Sequence, residues 1–249
     1  MEEFIQTVIY FCLNLIITLP SLLYHGSRNI YFKWTTKETK YWGPQVELSA
    51  LYGTRTNLTL LVLIHGRNGH YTNFDPLIDA LTLPNRQRHL ILPIDLGSNS
   101  RLSIFDEVQI VRRQLLPYMT TLSNIVLIGL SKGGLTAVQY QFTYPSKIQK
   151  VITISSPLQG TKVAKYHPTC QLSRNELGYQ SPFIVNLNSQ VNRSILYSIV
   201  PTCDHIIIPT SSAYLKGSTF YVYRGLYSHS GILYSPDVIS KVLSWIGQK

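Results

Sequence analysis

Ser131 stands between glycines in Gly129-Leu-Ser-Lys-Gly133, directly after the apolar run Asn124–Ile128 and directly before residues with helical patterning. Small residues on both sides let the backbone turn sharply, which leaves the hydroxyl clear at the carboxyl end of a strand. The helix that follows aims its first free amides at any charge that forms there. The chemistry such a turn supports is nucleophilic attack by serine on an acyl carbon. A hydroxyl becomes a nucleophile only when a base takes its proton, so the chain must also supply a histidine and a group that orients it.

In folds that carry this turn the acid, and then the histidine, follow the serine along the chain. After Ser131 the carboxylates are Glu176, Asp204 and Asp237, and the histidines are His167, His205 and His229. Glu176 and His167 fall in a long polar connection, and Asp237 follows Pro236 at a helix start, where an acid serves the helix dipole. Asp204 remains, just beyond the apolar run Ile195–Val200. His205 adjoins it and is read as a packed or solvated side chain. His229 lies in the loop after the last strand-like run and before the final helix, where the base belongs. The predicted catalytic set is therefore Ser131, Asp204 and His229.

An acyl transfer also needs donors for the oxyanion. The Lys132 amide, next after the serine, is one, and the loop His65–His70 after an earlier strand offers the Arg67 amide as the other. His65 and Gly66 shape that loop, as Gly129 and Gly133 shape the serine turn.

These residues need a scaffold that brings distant loops to one edge. Short β-branched runs occur at Val46–Tyr52, Thr59–Ile64, His89–Ile94, Asn124–Ile128, Lys150–Ile154, Ile195–Val200 and Thr219–Tyr223. Most are continuously apolar, as strands covered on both faces are. Helical segments alternate with them at Asn73–Leu83, Ser103–Met119, Lys132–Phe142 and Pro236–Trp245, with Asp106 and Glu107 in a first turn. Strand and helix in alternation predict one α/β domain with a mainly parallel sheet flanked by helices. The interval 157–194 is rich in Lys, Tyr, Asn, Ser and Pro, and reads as a lid-like excursion with a short helix near Phe183–Gln190.

The first 25 residues differ in kind. Phe4–Tyr24 is long enough to cross a bilayer and is interrupted by Gln6, Asn14 and Pro20. With Glu2 and Glu3 before it and Arg28, Lys33, Lys37 and Lys40 after it, the stretch is expected to be an uncleaved membrane segment or an interfacial anchor helix, with the domain 26–249 on the cytoplasmic side. An atypical export signal is the alternative.

Length and charge bound the rest. The 249 residues suit one sizeable domain. With 22 basic against 12 acidic residues the formal charge is +10, which favours anionic partners. The basic residues are scattered and no zinc-ligand spacing or RNA-binding signature accompanies them, so no nucleic acid partner is expected. Cys12, Cys170 and Cys203 form no disulfide framework, and whether Cys170 and Cys203 pair is open, as is the oligomeric state.

His65-Gly66 after the first core strand, Gly129-Leu-Ser-Lys-Gly-Gly134, Ile154-Ser-Ser-Pro-Leu-Gln-Gly-Thr161, Asp204 followed by Ile206–Pro209, and Ser228-His-Ser-Gly-Ile-Leu233 together resemble the α/β-hydrolase lipases and esterases. From Ser198 onward the chain is similar to small bacterial triacylglycerol lipases. The likeness covers residues 58 to 246, with its motifs in family order. It implies the α/β-hydrolase fold, hydrolysis of a carboxylic ester without metal or organic cofactor, and a substrate-facing wall and lid opened by the Ser-Pro-x-x-Gly-Thr stretch. Two departures stand out. Lys132 occupies a position that is apolar or an amide in many relatives, so its cation is expected to meet an anionic headgroup or fatty acid. Thr136 is expected to be structural.

Together with the aromatic residues Tyr166, Tyr179 and Phe183, expected near the mouth, these features predict a lipid or other apolar ester as substrate. An acyltransferase or phospholipase with the same triad, and a membrane-tethered binding protein without turnover, are the alternatives.

Overall fold

The computed structural model describes residues 2–35, 58–82, 89–97, 102–120, 122–166 and 171–247. The expected strand Val46–Tyr52, together with His167 and Cys170, lies outside them. The described elements are α1 (Glu2–Thr35), β1 (Thr59–Ile64), α2 (Asp75–Leu81), β2 (His89–Ile94), α3 (Ile104–Leu115), β3 (Asn124–Leu130), α4 (Lys132–Thr143), β4 (Ile148–Ile154), α5 (Gln171–Leu177), α6 (Pro182–Gln190), β5 (Leu196–Pro201), β6 (Thr219–Tyr223) and α7 (Pro236–Gly247).

The six strands form one sheet in the order β2-β1-β3-β4-β5-β6, and every pairing is parallel. The order reverses at β1 and β3, so loops after those strands open at a switch point where α/β sheets place their ligands. Successive residues of one strand feed opposite cores. Leu60, Val62 and Ile64 of β1 join a cluster with Val108, Val111 and Leu115 of α3 and Leu135 and Val138 of α4. Leu61 and Leu63 join Leu77 and Leu81 of α2 and Val238, Val242 and Trp245 of α7. Helices on both faces explain why the strands are continuously apolar, and each buried Leu, Ile or Val contributes about 1.5–3 kcal/mol.

The described part of the excursion, 157–166 and 171–194, is anchored to the core. Ile184 and Leu187 of α6 are buried in the larger core, and Asn188 donates to the Leu158 carbonyl at 2.9 Å. Glu176 of α5 accepts from the Ile104 amide with both oxygens at 3.1 Å, so the cap is tied to the N-terminus of α3. Asp106 does serve that terminus, through Ser103, but Glu107 turns inward and is fully buried.

The N-terminal segment departs from the expected bilayer span. Helix α1 runs past residue 25 and lies against the turns 71–74, 162–166 and 231–234, at the carboxyl edge of the sheet. Among the described residues no helix is long and apolar enough to cross a membrane. Thr7, Asn14 and Thr18 share one helical face, and that polar face is buried against the domain.

Candidate active site

Ser131 sits between β3 and α4 with φ 55° and ψ −126°, a conformation that costs about 1–3 kcal/mol and persists only where the surroundings enforce it. The surroundings are the two glycines. A Cβ on Gly129 would stand 2.4 Å from the Gly133 carbonyl oxygen, and one on Gly133 would stand 2.2 Å from that of Ile64. No side chain fits either place, so the strand, turn and helix can close only with glycine. The Ser131 amide then donates to the Ile154 carbonyl at 2.9 Å, which fixes the turn to β4.

The three residues expected to work together are brought together. His229 Nε2 lies 2.7 Å from Ser131 Oγ, and His229 Nδ1 lies 2.7 Å from Asp204 Oδ2. Asp204 is fully buried, while the imidazole keeps 12% of its surface exposed. Burial pushes the Asp204 carboxyl up, but the facing His229, its hydrogen bond, the Ser155 hydroxyl and the Ile206 amide outweigh it and hold the group below the ordinary carboxylate value. An ionised Asp204 accepts from Nδ1–H, which leaves Nε2 as the acceptor for the serine proton.

Two partners of Asp204 were not legible as site residues. Ser155 Oγ donates to Oδ2 at 2.5 Å, and Asn14 of α1 accepts from the Asp204 amide at 2.9 Å. Oδ1 is held by the Ile206 and Ile207 amides at 2.7 and 3.1 Å. Ser155 belongs to the Ser-Ser-Pro motif, and Asn14 is one of the polar interruptions of the N-terminal run; both signals were present without a reason to join them to Asp204. His205 is packed as expected, with Thr18 Oγ1 3.2 Å from Nδ1 and the Phe11 ring edge-on at 6.4 Å.

The loop after β1 is built for close approach. His65 is buried, its Nδ1 2.9 Å from the Gly66 carbonyl oxygen and its Nε2 accepting from the Leu96 amide at 3.3 Å, so Nδ1 carries the proton and the ring joins the loops after β1 and β2. A Cβ on Gly66 would stand 2.8 Å from that of Ser131. Arg67 and Lys132 line the same cavity as Ser131 and His229, with a volume of about 230 Å³. Its remaining wall is largely aliphatic: Pro157, Val163, Ala164, Leu177, Ile206 and Ile207.

Two expectations are corrected by side-chain direction. The Lys132 ammonium does not face the cavity; it is buried under α4, 2.7 Å from Glu107 Oε1 and bonded to the Leu102 carbonyl. Thr136 is structural as expected, donating to Glu107 Oε2 at 2.6 Å. Burial raises the Glu107 carboxyl above its ordinary value despite the attraction of Lys132. The expected aromatic mouth is also absent from this wall. Tyr166 and Tyr179 line a neighbouring hollow, and Phe183 packs against the core.

A Listeria innocua protein of known structure superposes with a TM-score of 0.61 at 16% identity, covering 78% of this chain and 95% of that one. Aspergillus fumigatus lipase B superposes with a TM-score of 0.56 at 19% identity, over 84% of this chain and 59% of that one. The protein has the α/β-hydrolase fold. Within it, the serine turn after β3, the acid after β5 and the histidine after β6 occupy the carboxyl edge of the sheet. A Drosophila melanogaster protein named a probable serine hydrolase is 27% identical over 138 residues, 51% of this chain. The match spans 36% of that relative's length. No family model matches the chain.

Proposed function

We propose that this α/β-hydrolase-fold protein is a serine hydrolase that cleaves carboxylic esters with apolar acyl groups, through an acyl-enzyme on Ser131. The observation that carries the reading is His229, hydrogen-bonded at 2.7 Å to both Ser131 and Asp204 at the edge of an aliphatic cavity. The serine turn, conformationally enforced, holds Oγ where an acyl carbon in that cavity can be attacked.

In this reading Ser131 Oγ attacks the carbonyl as its proton passes to His229 Nε2. Asp204, ionised and held by four donors to its two oxygens, stabilises the imidazolium that forms. The Arg67 and Lys132 amides donate to the oxyanion, with the free end of α4 adding its dipole. The imidazolium then protonates the leaving alkoxide, the alcohol departs, and water repeats the sequence against the acyl-enzyme. The aliphatic wall favours an alkyl chain over a polar acyl group, and the lipase among the structural neighbours agrees with that preference.

Turnover of p-nitrophenyl esters from acetate to palmitate, by wild type and Ser131→Ala in detergent, tests the reading. Wild type is expected to prefer the longer chains, with the variant several orders of magnitude slower. Preference for acetate argues against an apolar acyl substrate, and equal inactivity of both proteins on every ester argues against hydrolysis.

A further inference from the structure

Three surfaces converge on one short turn, Lys162–Tyr166. Val163 and Ala164 line the catalytic cavity. Lys162 and Lys165 line, with Arg174, a second hollow of about 270 Å³, and none of the described residues lining it is acidic. Lys162 also borders a groove against Gln6, Thr7 and Tyr10 of α1, and the Phe4 ring meets Tyr166 edge-on at 4.9 Å. The catalytic mouth, a basic rim and α1 are therefore neighbours.

Helix α1 is inverted in polarity. Its inner face buries Thr7, Asn14 and Thr18, while Ile5, Ile9, Leu13 and Ile16 on the outer face are 49, 54, 54 and 68% exposed. Those four repeat at intervals of four, four and three, so they form one continuous apolar stripe. A stripe of this size on a folded domain marks a surface that something apolar covers. A second copy of the chain would set like charge against like charge, because each copy carries a net +10 and presents this basic rim. A layer with an apolar interior and anionic headgroups matches both features at once.

We propose that the outer face of α1 and the rim of Lys162, Lys165 and Arg174 dock the protein onto an anionic lipid surface, with the catalytic mouth beside the contact. The helix lies in the headgroup region rather than across the bilayer. Its inner face keeps hold of the Asp204 loop through Asn14.

Flotation of the full chain with vesicles reads this without any turnover, so failure of the hydrolysis reading leaves the result intact. The probes are vesicles of phosphatidylcholine alone and of phosphatidylcholine mixed with phosphatidylserine. Wild type is expected to float with the mixed vesicles and to be released as salt shortens the screening length from about 10 Å at 0.1 M to about 3 Å at 1 M. The variant Ile9→Asn/Leu13→Asn/Ile16→Asn should lose at least about tenfold in binding with an unchanged melting temperature, since buried CH₂ groups supply the apolar share. Lys162→Gln/Lys165→Gln/Arg174→Gln should weaken binding to the mixed vesicles alone, which keeps the test alive if the first variant misfolds. The proposal is overturned if wild type floats with neither vesicle, or if the substitutions leave flotation unchanged. It is overturned equally if they convert a soluble dimer to monomer without affecting vesicle binding, which would give the face to a second copy.

Discussion

Replacing Ser155 by alanine removes one hydroxyl from a fully buried carboxylate. That hydroxyl donates to Asp204 Oδ2 at 2.5 Å, on the same oxygen that receives His229 Nδ1 at 2.7 Å. A hydrogen bond to a charged group contributes about 1.5–3 kcal/mol, and in a protein of this size each kcal/mol moves the melting temperature by roughly 2–4 °C. A drop of about 3–12 °C at neutral pH follows. The pH dependence separates this cause from simple loss of packing. Asp204 has a depressed folded-state pKa, so its stabilising contribution is present above the unfolded value of 3.8 and is lost as pH falls through the lower folded value. Without Ser155 the folded value rises toward the unfolded one. The gap between wild type and variant should thus be widest from pH 6 to 8, about two or more units above the ordinary carboxylate value, and should close as pH falls below it. Thermal unfolding of both proteins from pH 8 down to acid denaturation measures it. A gap that stays constant with pH, or no gap at neutral pH, refutes the argument.

Other consequences follow from the same contacts. Asn14→Ala leaves the buried Asp204 amide without its acceptor, at a cost of about 1–3 kcal/mol, and should lower both the melting temperature and ester turnover; unchanged values would show that α1 does not hold the acid loop. Gly129→Ala puts a methyl group 2.4 Å from the Gly133 oxygen, so soluble yield and melting temperature should both fall, and a normally stable variant would contradict the serine-turn geometry. Burial raises the Glu176 carboxyl above 4.5, so the folded state binds its proton more tightly and stability falls as pH rises from 4.5 through the raised value. Glu176→Gln should remove that part of the slope. Because the depressed pKa of His205 acts in the opposite direction below pH 6.5, the test is the difference in melting temperature between variant and wild type across pH 4.5–7, and a flat difference counts against it.

Much of the scaffold was legible because its causes are local or periodic. Apolar runs such as Leu60–Ile64 can be continuous only if both sides of the strand are covered, and the alternate assignment of those residues to two cores is that statement in space. Ser131, Asp204 and His229 were legible because few acids and histidines follow the serine and each competitor had another place. What escaped depends on direction. Lys132 is on the first turn of α4, and nothing in the residue order says that its side chain turns under the helix to Glu107 rather than toward the cavity. Helix α3 ends at Leu115 rather than Met119, where Pro117 tightens the chain into a 3-10 turn. In the N-terminal run, Asn14 reads as an interruption of a bilayer span, and Thr18 lies one helical turn beyond it. Their spacing with Thr7 is that of a docking face, and only the Asp204 loop reveals what they dock against.

Hydrolysis by this site requires that Ser131 be a nucleophile activated by His229. The most direct test is labelling of the folded protein with a fluorophosphonate, with the modified peptide identified by mass spectrometry. A phosphonyl adduct on Ser131 is expected, with no adduct in Ser131→Ala and labelling slower by orders of magnitude in His229→Ala. Folded wild type that resists the reagent, or that labels at another serine, would contradict it.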